Sequence, residues 1–245
     1  MAGSTLASPS TDNKALVAKS SAQSPGRESW RRFKRHKLAV VCTIVLSFIV
    51  LAVLLGPFLW RVPINEIDFM SRMQGPSWAH PLGTDDLGQD ILARVLYGGR
   101  ISLAVGLAAM LIAISVGVVV GAVAGMSKGP VDVFLMWITD LFLSLPQLPL
   151  LLLIFYLFND TLKKMVGPEA GVFILVVAVI GGLRWMPVAR LVRAQFLTLR
   201  EKEFVEAARA LGASPWRQVT VHILPNAMGP VIVAATIDVA AAIIA

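Results

Sequence analysis

The chain has 245 residues, 56% of them hydrophobic and 15% charged, with a mean hydropathy of +0.74. A soluble domain carries about 25% charged residues, so this balance excludes an ordinary soluble domain and points to a membrane protein. The net charge of +7 does not signal nucleic acid, because 15 of the 22 Lys and Arg fall within 1–37 and 184–222 without the aromatic interleaving of a nucleic-acid surface.

Residues 1–26, rich in Ser, Ala and Thr without apolar periodicity, read as a disordered tail. The basic run "RESWRRFKRHK" follows, and the segment 1–37 is predicted to lie in the cytoplasm. Leu38–Trp60 then gives 23 residues without a charge, enough to cross about 30 Å of hydrocarbon. This run is too long for a signal peptide and lacks a small-x-small cleavage site, so it reads as an uncleaved first span entered from the cytoplasm. Its Cys42, the only cysteine, excludes an intrachain disulfide and a multi-cysteine zinc site.

Residues 61–100 hold five acidic and four basic side chains, with Gly and Pro at turn positions, and are predicted to form an outside loop. His80, Asp85, Asp86 and Asp90 superficially suggest metal ligands, but "GTDD" and its neighbouring glycines favour turn and cap chemistry. Ile101–Met126 is a second uncharged span. Its "GVVVGAVAG" sets Gly117, Gly121 and Gly125 on one helix face, a groove for a neighbouring helix. The alternative is the general glycine richness of membrane helices.

After the turn "SKGPVD", Val133–Phe158 forms a third span that Pro146 and Pro149 should bend. "NDTLKKMVGPEA" is a predicted outside loop. Gly171–Leu183 begins a fourth span that continues as an amphipathic extension past Arg184, which is expected to snorkel to the cytoplasmic interface. Asn226–Ala245 starts a fifth. An odd count, with no basic flank at the end, suggests a chain cut before a sixth span. Asp140 and Asp238 lie inside spans, where carboxylates are costly, and would either line a path or pair with a neighbouring helix. No fixed-period repeat, Walker A stretch, G-x-S-x-G or H-E-x-x-H occurs, so no catalytic, metal or cofactor set is assigned.

One polar island separates the fourth and fifth spans. In "EKEFVEAARAL", Phe204, Ala208 and Leu211 form an apolar stripe with Val205 beside it, while Glu203 and Glu206 mark a polar face. Gly212 stands where a left-handed C-terminal cap wants glycine. Ser214 and Pro215 suit the start of a second helix, in which Trp216, Val219 and Ile223 keep helical spacing and Pro225 punctuates entry to the last span. Two short helices on a glycine hinge would present a knob that inserts into a cleft on a partner, burying Phe204 and Leu211. The alternative is an ordinary interfacial helix.

The order Glu206, Ala207, Ala208, then Gly212, then Leu224 and Pro225 resembles the EAA loop of importer-type ABC transporter permeases. "EFVEAARALGAS" with "HILPN" is similar to the dipeptide/oligopeptide/nickel branch. So are "HPLGTDDLGQDILARVLYGGRISLAVG", in which Gln89 replaces the commoner Arg, and "RLVRAQFLTLRE". The likeness covers roughly Trp30 to Ala245. It implies an all-α polytopic membrane protein, with five of six spans visible and a permease core over 101–245. The coupling loop at about 200–225 would place Glu206, Ala207, Ala208, Gly212, Leu224 and Pro225 at the ATPase contact, with Phe204, Leu211 and Trp216 packing it. Implied partners are a second homologous permease subunit, two ATPase subunits holding ATP and Mg, an external solute-binding protein and the bilayer. The implied cargo is short peptides, or nickel or another small solute. A self-contained ion-coupled carrier or channel using Asp140 and Asp238 is the alternative.

Overall fold

The computed structural model describes residues 25–244. Among these every long element is helical, and the chain divides into two compact units between Leu96 and Tyr97. The expected disordered tail lies outside the described residues except for Pro25 and Gly26, which open helix α1 (Pro25–Arg35).

In the first unit, α2 (Lys37–Leu59) is the first apolar run made helical. In a bilayer a spanning segment must satisfy its own backbone, which makes helix the only open choice for so apolar a run. His36 caps it, with Nδ1 accepting the Ala39 N–H at 3.2 Å. Val53 is its single buried residue; its Leu, Ile and Phe side chains are all exposed.

The segment that follows is a knot of capped turns. Asp68 accepts the Met70 N–H at 2.9 Å and the Ser71 hydroxyl at 2.7 Å. Asp85 Oδ1 accepts the Leu87 and Gln89 N–H groups, both at 2.9 Å, and Oδ2 pairs with Arg94. Gly88 turns at φ +77°, and a Cβ there would stand 1.8 Å from the Asp68 carbonyl oxygen. Asp90, 2% exposed, caps α3 by accepting the Ala93 N–H at 2.7 Å, and it also holds Trp60 Nε1 at 3.2 Å and His80 Nδ1 at 2.8 Å. The four residues with a metal-ligand look therefore act in turns and caps; Asp86 lends its carbonyl to Arg72 Nε at 2.6 Å. Because Asp90 caps a helix, the loop expected to reach residue 100 ends at α3 (Ile91–Met126).

The second unit takes up α3 after Leu96. Beyond it come α4 (Pro130–Ser144), α5 (Gln147–Val166), α6 (Pro168–Gly182), α7 (Trp185–Leu199), α8 (Glu203–Ala210) and α9 (Pro215–Ile244). The axes of α4 and α5 meet at 86°. Pro146 alone makes the break, forcing Leu145 into extended backbone. Pro149 sits in the first turn of α5, where no backbone donor is needed, so it does not bend the span as expected.

The predicted outside loop after the third span is mostly helix. Asn159–Val166 completes α5, Lys163 and Lys164 suit the negative end of its dipole, and only Gly167 turns the chain into α6. Four helices or helix runs are long and apolar enough to cross a membrane, α2, α3, α6 with α7, and α9, and the bent α4–α5 pair makes up to five.

The main core surrounds α7. Val188, Val192 and Phe196 of α7 cluster with Val205 of α8 and Ile223, Ala227 and Val231 of α9, against Ile114, Val118 and Ala122 of α3. A second cluster joins Val105 and Ala109 of α3, Val177 and Ile180 of α6 and Ala242 of α9.

Candidate functional site

The knob is built at its hinge. Helix α8 has Glu203 and Glu206 in its first turn and Arg209 in its last, each at the favourable end of the helix dipole. It ends in a two-bond left-handed cap. The Gly212 N–H donates to Arg209 O at 2.9 Å and the Ala213 N–H to Ala208 O at 3.0 Å, with Gly212 at φ +84°. Ser214 Oγ then accepts the Arg217 N–H at 3.3 Å, and Pro215 occupies the first turn of α9. Gln218, 4% exposed, donates from Nε2 to Ala213 O at 2.7 Å and locks the hinge from below.

The second helix is not a separate short piece. It runs from Pro215 to Ile244 through a π segment, Gln218–Ile223. Leu224 donates to Val219 O across this wider turn, which accommodates Pro225 without ending the helix. Pro225 therefore does not punctuate the entry to the last span. Asn226 Nδ2 donates to the His222 carbonyl at 2.6 Å.

The apolar residues of the knob divide between two sides. Val205 and Ile223 are fully buried in the cluster around Phe196, while Phe204, Leu211 and Trp216 are 44%, 90% and 76% exposed. Glu206 and Ala207 are exposed, Ala208 and Leu224 are half-buried, and Pro225 is exposed. Among the described ion pairs none joins Glu206 to Arg209. Ala208, Leu211, Gly212, Arg217 and His222 line a groove of about 560 Å³ on the knob.

Helix α7 leads into the knob and is fixed on two flanks. Against α3, the Gly117, Gly121 and Gly125 face meets α7 directly. An added Cβ would stand 2.6 Å from Val188 Cβ, 2.5 Å from the Ala189 carbonyl oxygen and 2.5 Å from Phe196 Cβ respectively. No other residue fits that approach.

Arginines on α7 and at its two ends hold partners far off in sequence. Arg193 grips Asp132 of α4 with two hydrogen bonds of 2.6 Å, Arg190 pairs with Asp140 of α4, and Arg200 Nη1 donates to the Gly125 carbonyl at 2.9 Å. Arg184 lies 3.9 Å from Asp238 of α9 and donates to the Ala241 carbonyl at 3.1 Å. It is thus held by a neighbouring helix. Asp140 and Asp238 each face an arginine. A lone charge at the bilayer centre costs about 2.5–3.5 kcal/mol on insertion scales, and pairing reduces that cost.

The structure brings Gly212, Ala208 and Leu211 together with Arg217 and His222, and leaves Asp140 and Asp238 on separate flanks of α7. Sequence reasoning missed Val205 as the inward anchor, Gln218 as the hinge lock and the four arginines as ties. Val205 sat beside the chosen stripe, one position off. Gln218, three residues from Pro215 and followed by apolar Val219, was a findable inward polar position. The arginine partners are 50 and 61 residues away for Arg190 and Arg193 and gave no local signal.

Comparison with known proteins bears on the same segments. Residues 117–245 match the family described as "binding-protein-dependent transport system inner membrane component". Residues 24–76 match the "N-terminal TM domain of oligopeptide transport permease C". The dipeptide transport system permease protein DppC of Alkalihalophilus pseudofirmus is 34% identical over 91% of this chain and 70% of its own length. DppC of Bacillus subtilis is 37% identical over 89% of this chain and 65% of its own length. The oligopeptide transport system permease protein OppC of Escherichia coli K12 is 39% identical over 86% of this chain and 68% of its own length. The chain thus spans about two thirds of the length of these relatives.

Proposed function

We propose a transport function from this premise: the chain belongs to the binding-protein-dependent transport system inner membrane component family. It acts as one membrane-spanning subunit of an ATP-driven importer. A second homologous permease completes the path, two ATPase subunits supply ATP hydrolysis with Mg, and an external solute-binding protein delivers the cargo. The cargo is short peptides, the class named for the relatives. The N-terminus lies in the cytoplasm, and the turns between α2 and α3 lie outside.

One observation carries the coupling role. The knob is tied inward by Val205 and Ile223 to α7 and α9, yet keeps Phe204, Leu211 and Trp216 exposed. A partner that grips those three side chains moves both helices with them. Docking of an ATPase subunit on Glu206, Ala207, Ala208, Phe204 and Leu211, with Gly212 fixing the angle, would convert its closure into rocking of the spans. The self-contained carrier reading draws no support, because Asp140 and Asp238 lie on separate flanks of α7, each beside a different arginine, and form no common site.

The test is co-purification and uptake with the protein, its partner permease, both ATPases and the binding protein co-expressed. Gly212→Trp and Glu206→Lys are expected to release the ATPase or abolish peptide uptake while membrane insertion persists. Uptake that continues without any associated ATPase contradicts the reading.

A further inference from the structure

Of the three Arg–Asp pairs on α7 and its cap, one is unlike the others. Arg190 and Asp140 are 52% and 58% exposed, whereas no member of the Arg184–Asp238 and Arg193–Asp132 pairs exceeds 31%. A charged pair this open is costly against lipid tails.

The rest of its helix face agrees. The exposed positions of α7 are Pro187, Arg190, Ala194 and Thr198, at three- and four-residue spacing along one stripe. None carries a large apolar side chain. The exposed face of α2 offers the contrast, since it presents Leu46, Phe48, Ile49 and Leu51. The two helices are built for different surroundings, α2 for lipid and the α7 stripe for water.

We infer that the α7 stripe, with Asp140 across from it, lines an aqueous passage in which Arg190 takes the terminal carboxylate of a peptide and Asp140 its ammonium group. The planar guanidinium matches a carboxylate with two parallel hydrogen bonds, and an ammonium suits a single exposed carboxylate. A zwitterion entering between them exchanges one ion pair for two, so neither residue is left uncompensated as cargo passes. Selectivity then follows from free termini rather than from side chains. The assignment of cargo rests on the peptide-importer reading above; the water-facing stripe does not.

The experiment uses the full assembled importer with Cys42→Ser as background. Single cysteines replace Ala194, Thr198 and, as a lipid-facing control, Leu46, and each is exposed to a charged, membrane-impermeant methanethiosulfonate applied from either side. Cysteines at 194 and 198 should react about tenfold or more faster than at 46, because only a hydrated thiol ionises readily. Equal, slow reaction at all three overturns the aqueous stripe and shows that this face is covered by protein or lipid.

Uptake of trialanine and of its C-terminal amide is then compared in Arg190→Gln and Arg190→Lys. Arg190→Gln should reduce trialanine uptake roughly tenfold, the scale of one lost charged hydrogen bond, with a smaller effect on the amide and partial recovery in Arg190→Lys. Equal losses for both peptides overturn the carboxylate role. A wild-type importer that takes up neither peptide contradicts the peptide reading and the carboxylate role together, while the labelling rates still report the stripe.

Discussion

Helices α2 and α7 solve opposite problems. Both fall in runs apolar enough to cross a membrane, but α2 has no charge after Lys37 and a single buried residue, while α7 carries Arg190 and Arg193 and buries Met186, Val188, Ala189, Val192 and Phe196. Hydropathy alone ranks α2 as the better membrane helix. The structure gives α7 the organising role, because a helix enclosed by other helices uses polar side chains to fix its neighbours. A helix surrounded by lipid has no partner for them. Charge inside an apolar run therefore marks a helix with polar partners on its neighbours.

The largest effect is expected at the α3–α7 contact. Gly121→Leu would drive a side chain into the Ala189 carbonyl, 2.5 Å from the added Cβ, and Val192 Cβ, at 2.7 Å. Overpacking of this kind costs about 1–3 kcal/mol or more, and backbone cannot yield as a side chain can. Thermal unfolding of the purified importer should shift downward strongly or the chain should fail to accumulate. An unchanged transition would mean that α7 does not rest on the glycine face.

Arg193→Ala comes next. It leaves Asp132 without its two-pronged partner in a largely enclosed setting, a loss of about 2–3 kcal/mol. Arg193→Lys should recover only part of that, since an ammonium cannot make the paired bonds. Full recovery in a stability assay would reduce the tie to simple charge.

The same assay on α2 sharpens the contrast from the other side. Ile44, 63% exposed, makes no core contact, so Ile44→Ala should stay within about 0.5 kcal/mol of wild type. A loss comparable to that of Arg193→Ala would show that α2 is packed against a partner.

The smallest effect belongs to the turns after α2. Hydrogen bonds from Ser71 and then Met70 hold the Asp68 carboxyl below its ordinary 3.8. The backbone N–H of Gln89, then that of Leu87, with help from Arg94, does the same for Asp85. Carboxylates lowered on folding stabilise above the unfolded value and lose that contribution as pH falls through the folded value. The turns should therefore hold at neutral pH and loosen only below about pH 4. Limited proteolysis with an acid-active protease measures this; loosening already near pH 6 would implicate another group.

Much of this architecture was legible in the residues. The uncharged runs located the spans because hydropathy is a sum over twenty or so residues and tolerates local error. Gly212 was legible because its role is local: a left-handed backbone follows directly from a glycine after a periodic stretch. Element ends were less legible. Asp90 starts α3 ten residues early through contacts to Trp60 and His80, a decision made by tertiary partners rather than by the adjacent sequence. The inward face of α8 was also less legible, since an eight-residue helix permits two apolar stripes and only its docking on Phe196 selects Val205. The arginine ties were illegible for the same reason at longer range.

If the exposed apolar residues of the knob grip a motor subunit, they must touch it directly. A photoreactive benzoylphenylalanine at Leu211, compared with one at Ile44 of α2, tests that contact in the assembled importer. ATPase crosslinks are expected from position 211, none from position 44, with a yield that changes when ATP is hydrolysed. An active importer in which position 211 never captures the ATPase would contradict that contact.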